Sequence, residues 1–131
     1  MADNIMVITR CRPFNQREKD MDSKLVVHMP DDAIDGRHVV VTDETGQERT
    51  FEFDRAYWSH DETTHRFVSQ EDVMQDVGKL MLDTCYKGLN VSMFAYGQTG
   101  AGKSFSVIGA GGELRGLLPR MLEDIYESCG K

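Results

Sequence analysis

Hydrophobic and polar positions follow different periods along the chain, and the change of period marks out the elements. From Ser69 onward Val73, Val77, Leu80, Met81, Thr84 and Cys85 recur at three- or four-residue steps, while Gln70, Gln75, Asp76, Lys79 and Asp83 fall between them. That spacing puts the two sets on opposite faces of a helix. Ser69 is a suitable N-cap, Glu71 and Asp72 occupy the first turn where the helix dipole favours acids, and Lys87 with Gly88 closes the helix. Residues 90–96, Asn-Val-Ser-Met-Phe-Ala-Tyr, come next as a mostly apolar run of strand length, the composition of a parallel strand buried on both faces.

Upstream the period is shorter. Residues 5–9 are apolar and partly β-branched and predict a buried strand that Pro13 ends. Residues 16–23 are highly charged and predict a structure-poor connection. Residues 25–29, 38–42 and 50–53 are β-rich, and they are separated by the turn signals Asp35-Gly36 and Thr45-Gly46, which predicts a small antiparallel meander. Asp31, Asp32, Asp35, Asp43 and Glu44 lack the spacing of a calcium loop and read as solvated turn residues. In the polar stretch 54–66, Tyr57 and Trp58 are expected to pack over a sheet edge, with stacking on a base as the rarer alternative. His60 and His65 have neither nucleophile nor metal-ligand spacing and read as surface residues.

Beyond residue 102 a helix is expected to begin and to break at once, because Gly109-Ala110-Gly111-Gly112 follows Lys103–Ile108 almost immediately. Leu118, Met121, Leu122, Ile125 and Cys129 resume a helical stripe, with Pro119 tolerable in the first turn and Gly130 as a stop.

Composition adds bounds. With 131 residues, 40% hydrophobic and 28% charged, the chain has the profile of one soluble globular domain. A net charge of -7 without clustered Lys or Arg argues against a nucleic-acid surface. Cys11, Cys85 and Cys129 form no C-x-x-C pair, so neither a zinc site nor a disulfide framework is suggested, and reduced thiols in the cytosol fit best. No segment has the length of a membrane span, and an intracellular, unanchored protein is expected.

The chemistry is concentrated in Gly97-Gln98-Thr99-Gly100-Ala101-Gly102-Lys103-Ser104, which has the form G-x-x-x-x-G-K-[ST]. A phosphate cradle needs a turn whose backbone N–H groups converge on phosphate oxygens, and residues with little or no side chain allow that approach. Lys103 is then placed to meet the terminal phosphates and Ser104 to put its hydroxyl on an accompanying Mg²⁺. A strand-like run before the loop and a helix start after it supply the required context. Arg10 and Arg12 sit on alternate positions before Pro13. The three line a nucleotide base, or the arginines are a solvated pair at a strand end; residue type alone favours the second.

Taken together, these pieces resemble the N-terminal part of a kinesin motor domain. Arg10-Cys11-Arg12-Pro13 resembles the R-x-R-P element after the first strand, and residues 94–104, FAYGQTGAGKS, resemble the F-A-Y-G-Q-T-x-x-G-K-[ST] signature. Phe53-Asp54 followed by Tyr57-Trp58-Ser59-His60, together with Gly102-Lys103-Ser104, resembles in particular the kinesin-3 class of cargo transporters. The resemblance runs from Ile5 to about Ser128 and includes the Gly-Leu-Leu-Pro-Arg stretch 116–120. It implies an α/β fold, a three-layer P-loop NTPase with a central, mostly parallel sheet, here as an N-terminal portion over 1–131 with a small antiparallel meander beside it. It also implies ATP or ADP with Mg²⁺ as ligands, Arg10, Arg12 and Pro13 against adenine, and Phe105 at the ribose or base edge. Microtubules would be engaged through parts of a longer parent, in the cytoplasm and on the cytoskeleton. Ser106-Val107 stands where the family usually carries Thr-Met.

The switch elements N-x-x-S-S-R and D-x-x-G-x-E are not found. Phosphoryl transfer depends on positioning and electrostatics, so no catalytic residue is assigned, and this segment is expected to bind ATP better than it hydrolyses it. A truncated product or incomplete gene model is expected, with an apolar strand edge prone to aggregation. Two other readings compete: a non-catalytic binding module, and a small self-contained P-loop NTPase. The latter lacks an acidic Mg²⁺ partner on a later strand, since Glu113, Glu123, Asp124 and Glu127 fall in predicted loop or helix. Cargo, direction and oligomeric state are left open.

Overall fold

The computed structural model describes residues 5–31 and 36–130. The chain divides into two compact units, Met1–Val68 and Ser69–Lys131.

The first unit holds two small sheets. Strand β1, Ile8–Cys11, pairs in parallel with a strand at Arg55–Trp58 (β5 in chain order), from Ile8 opposite Arg55 to Cys11 opposite Trp58. The strand thus starts later than the apolar run at 5–9 predicts, and Ile5 and Val7 are exposed rather than buried. Asp54 gives the reason: its carboxylate Oδ2 accepts the Val7 N–H at 2.8 Å and its own N–H donates to the Val7 carbonyl, which closes the ladder at that point.

Helix α1, Gln16–Asp20, occupies the stretch expected to be structure-poor. The signal for it is a capping box: Asn15 accepts the Glu18 N–H through its side chain, and the Glu18 carboxylate accepts the Asn15 N–H, each at 2.9 Å. The expected meander forms from β2 (Val27–His28), β3 (His38–Thr42) and β4 (Glu48–Glu52), in the order β2-β3-β4 and antiparallel throughout. Of the two turn signals, Asp35 lies outside the described residues. At the other, Asp43 Oδ1 accepts the N–H groups of Thr45 and Gln47 at 2.8 and 3.0 Å.

Met29, Val39, Ala56 and Trp58 are buried together, with Cys11, Val27, Val41 and Phe53 packed against them. Trp58 and Tyr57 are core residues, as expected, and His60, expected at the surface, is half-buried against the rings beside them. Its ring meets Phe14 edge-on at 4.7 Å and lies 5.3 Å from the Trp58 ring, while the Arg66 guanidinium sits 4.7 Å over Trp58.

The second unit is helical. Ser69 caps helix α2, Gln70–Val73, in a reciprocal box with Asp72. A π-helical turn, Met74–Gly78, leads into α3, Lys79–Tyr86. The wider turn rotates the buried face relative to a regular helix. Val73, Met74, Gly78 and Leu82 are therefore buried while Leu80, placed by periodicity on the apolar face, is 53% exposed. At Gly78 a Cβ would fall 2.5 Å from Met74 Sδ and 2.8 Å from Leu117 Cδ1, so the absence of a side chain is a packing requirement.

Helix α4, Lys103–Val107, is short and broken as predicted, a 3-10 turn follows at Gly112–Leu114, and α5 runs over Leu117–Cys129 with Pro119 in its first turn. The buried side of α5 is Leu117, Arg120 and Met121; Leu118 and Leu122 of the expected stripe are exposed.

The largest departure is residues 90–96. No strand forms there, and Phe94 is 90% exposed and Tyr96 fully exposed. An apolar run becomes a buried parallel strand only when neighbours supply hydrogen bonds on both sides and helices cover its faces. Among the described residues no strand pairs with it.

Candidate nucleotide-binding site

The loop at 97–104 closes on itself. The Ala101 N–H donates to the Gln98 carbonyl at 3.0 Å, and Gly97 approaches so closely that a Cβ on it would lie 2.8 Å from Ala101 Cβ. Any larger residue at 97 would force the turn open, which is the physical content of the first glycine of the motif. Gly102 caps α4 in the left-handed region at φ 98°, a conformation that costs an L side chain energy but not glycine. As the N-cap residue of α4, Gly102 has no side chain of its own to place over the first turn. Lys103 is half-buried, Ser104 is exposed, and Phe105 beside them is 39% exposed. Gln98, Thr99 and Gly100 are exposed, whereas Ala101 and Gly102 are half-buried. A turn of this shape, built from residues with little side chain and flanked by a lysine and a hydroxyl, fits a polyphosphate and its cation.

Backbone hydrogen bonds fix the far end of α4. The Ser104 carbonyl accepts two N–H groups, from Ile108 at 2.8 Å and Gly109 at 2.9 Å, and the Gly116 N–H donates to the Ile108 carbonyl at 2.7 Å. A Cβ at Gly109, where φ is 74°, would overlap the Leu114 carbonyl oxygen at 2.2 Å.

In the first unit Arg10 lies within β1 and donates from Nε to the Ser59 hydroxyl at 2.8 Å; burial lowers its pKa. Ser59 in turn donates to the Val68 carbonyl at 2.6 Å. Arg12, just past the strand, forms a two-pronged pair with Glu18, at 2.8 and 2.7 Å, and reaches the Pro13 carbonyl at 2.8 Å. Those bonds from Arg12, then the Asn15 N–H, hold the Glu18 carboxyl down at about 2. The His60 ring nitrogen Nδ1 lies 3.0 Å from the Arg12 carbonyl, so the turn carrying Arg12 and Pro13 is anchored from the segment just after β5 as well as from α1. Pro13 itself is exposed.

Two residues near the loop escaped sequence reasoning. Gln70, assigned to the polar face, is 5% exposed and its amide donates to the Phe105 carbonyl at 2.8 Å and the Leu114 carbonyl at 3.1 Å. Arg120, 5% exposed, donates to the carbonyls of Arg115 at 3.0 Å and Glu113 at 2.9 Å and pairs with Glu71. The Ser69-Gln70 junction hinted at a helix start but not at burial of its amide.

Comparison with known proteins bears on the site. A family model described as the kinesin motor domain matches residues 10–131. The chain is 38% identical over 145 residues to the kinesin-like protein KIF28 of Rattus norvegicus, a match covering 99% of this chain and 13% of that protein. It superposes with a TM-score of 0.84 and 34% identity on KIF14 with ADP in complex with a microtubule, covering 95% of this chain and 33% of that one. For the two-heads-bound KIF14 dimer with AMP-PNP in complex with a microtubule, the TM-score is 0.87 at 33% identity, covering 99% and 34%. The chain therefore has the α/β architecture of a P-loop NTPase of this type and spans about a third of those solved chains. These matches do not favour the self-contained NTPase or the purely non-catalytic module.

Proposed function

We propose that this chain, which belongs to the kinesin motor-domain family, is the ATP-binding segment of a microtubule-based motor, and that in the longer protein nucleotide hydrolysis drives movement along microtubules on the cytoskeleton. Gly97, Gln98, Thr99, Gly100, Ala101, Gly102, Lys103 and Ser104 hold the phosphates, Lys103 neutralises the terminal ones, and the Ser104 hydroxyl is a ligand of Mg²⁺. Arg10, Arg12 and Pro13 are the base contacts and Phe105 the ribose or base-edge contact that the family resemblance implies. The Phe53-Asp54 and Tyr57–His60 stretches favour the kinesin-3 transport class within the family.

The observation that carries the phosphate assignment is the closed 97–101 turn leading through a left-handed Gly102 into the start of α4. Titration of a fluorescent ATP analogue against the purified chain and Lys103→Ala, with and without Mg²⁺, tests it. Binding that needs Mg²⁺ and weakens at least tenfold in Lys103→Ala is expected, since a charge-assisted bond is worth roughly 1.5–3 kcal/mol. Equal binding by both chains would sink the role given to Lys103.

A further inference from the structure

Helix α4 is five residues long, far below the length at which a helix is stable alone, so its position must be set by what it is tied to. Its own hydrogen bonding is irregular at the far end. The Gly109 N–H, which in a regular helix would reach the Phe105 carbonyl, goes to Ser104 instead. The Phe105 carbonyl is met by the Gln70 amide, which at the same time bonds the Leu114 carbonyl. Both acceptors are carbonyl oxygens, so only the NH₂ end of the amide satisfies them, and its two hydrogens are both used. Gln70 is itself held in place, because it is the first residue of a helix that Ser69 and Asp72 cap reciprocally.

From this geometry we infer that Gln70 is a positioning residue for the phosphate-binding turn: by bridging the Phe105 and Leu114 carbonyls it fixes α4, and with it Lys103 and Ser104, at the orientation nucleotide binding requires. The inference rests on the ATP-binding reading above. It makes Gln70 act through backbone carbonyls, without touching the nucleotide. Residues that meet the ligand would then depend on a side chain more than thirty positions upstream for their alignment.

Three chains separate the possibilities: the unaltered chain, Gln70→Met, which keeps length and removes both donors, and Lys103→Ala. Nucleotide affinity is read with the fluorescent ATP analogue at a temperature where far-ultraviolet circular dichroism shows each chain folded. The expected result is an affinity about tenfold weaker in Gln70→Met, the order of effect from leaving buried hydrogen-bonding groups unmatched. A Gln70→Met chain that melts at lower temperature yet binds the analogue within twofold of the unaltered chain overturns the inference and leaves the site assignment standing. Absence of binding by the unaltered chain defeats the ATP-binding reading and this inference with it.

A measurement on the unaltered chain covers the case in which Gln70→Met does not fold. The side-chain amide resonances of Gln70, followed by NMR as the ATP analogue is added, are expected to shift together with the backbone amides of Lys103 and Ser104. Shifts at Lys103 and Ser104 with stationary Gln70 resonances refute the coupling.

Discussion

The strand β5 and the segment 90–96 make an instructive pair. Both are short and rich in apolar residues, and only one of them is a strand. Arg55–Trp58 lies against β1, buries Ala56, Tyr57 and Trp58 almost completely, and feeds a core completed by Met29 and Val39. Residues 90–96 carry Val91, Met93 and Phe94 and immediately precede the phosphate loop, yet Met93, Phe94 and Tyr96 face solvent. The difference lies in the partners and not in the residues themselves. A strand edge presents a row of N–H and C=O groups, and the geometry is held only when a neighbouring strand takes them. The phosphate loop keeps its closed turn all the same, because its hydrogen bond and its glycine approach are local.

The comparison is broken most severely at its ordered member. Trp58→Ala removes the largest side chain of the first unit's core and is expected to cost about 3–5 kcal/mol, the range for emptying a buried large aromatic position. Urea unfolding followed by circular dichroism measures it. A loss under 1 kcal/mol would mean that the core around Met29, Val39 and Ala56 does not depend on β5. In the second unit the corresponding stress is Gly78→Leu, which inserts a side chain where even a Cβ meets Met74 and Leu117 too closely. Those neighbours are flexible side-chain ends, so the expected cost is smaller, about 1–3 kcal/mol.

What could be read in advance follows the same division between local and distant causes. The phosphate loop was legible because spacing and residue type within eight positions specify it, and the Ser69 cap was legible because its acceptor and donor lie three residues apart. The capping box of Asn15 and Glu18 is equally local, but the high charge of residues 16–23 masks it by suggesting a structure-poor connection. Strand β5 was not legible, since Arg-Ala-Tyr-Trp shows no alternation and becomes a strand by pairing with β1, far upstream. The π turn at Met74–Gly78 likewise has no pattern of its own, and it moved Leu80 out of the buried face. Periodicity puts Gln70 on the polar face and says nothing of Arg120, because burial of an amide or a guanidinium depends on carbonyls supplied by another segment. The pairing of residues 90–96 failed for the converse reason: composition announced a strand whose partners are not among the described residues.

Acid probes the first unit without removing any side-chain volume. Glu18, bonded by Arg12, sits at about 2, below its ordinary 4.5. Asp31, bonded first by the Arg37 N–H and then by the N–H and ring of His38, also sits at about 2, below 3.8. Because both folded-state values are depressed, the unfolded chain binds more protons in this range. The stability these groups contribute is present above about pH 4.5 and is lost as pH falls towards 2. Both carboxylates are solvent-accessible, so the effect is modest. Glu18→Gln keeps the capping geometry and loses the charge, so its unfolding midpoint should fall less steeply between pH 4.5 and 2 than that of the unaltered chain. Parallel pH profiles would show that the pairing with Arg12 does not stabilise the fold.

The smallest effect is expected where the sequence looks most core-like. Phe94 is 90% exposed, so Phe94→Ser removes almost no buried area, and stability should change by less than about 0.5 kcal/mol. The same substitution should reduce self-association, because Phe94, Tyr96 and Leu89 present apolar surface beside a backbone edge that another chain can pair with. Sedimentation of the two chains across a range of concentrations, alongside urea midpoints, reads both quantities at once. In a longer chain that pairs residues 90–96 on both sides, Phe94→Ser should instead cost about 3 kcal/mol or more, because burial would then be complete. An equally large loss in the present chain would mean that the segment is packed in solution, and the contrast with β5 would disappear.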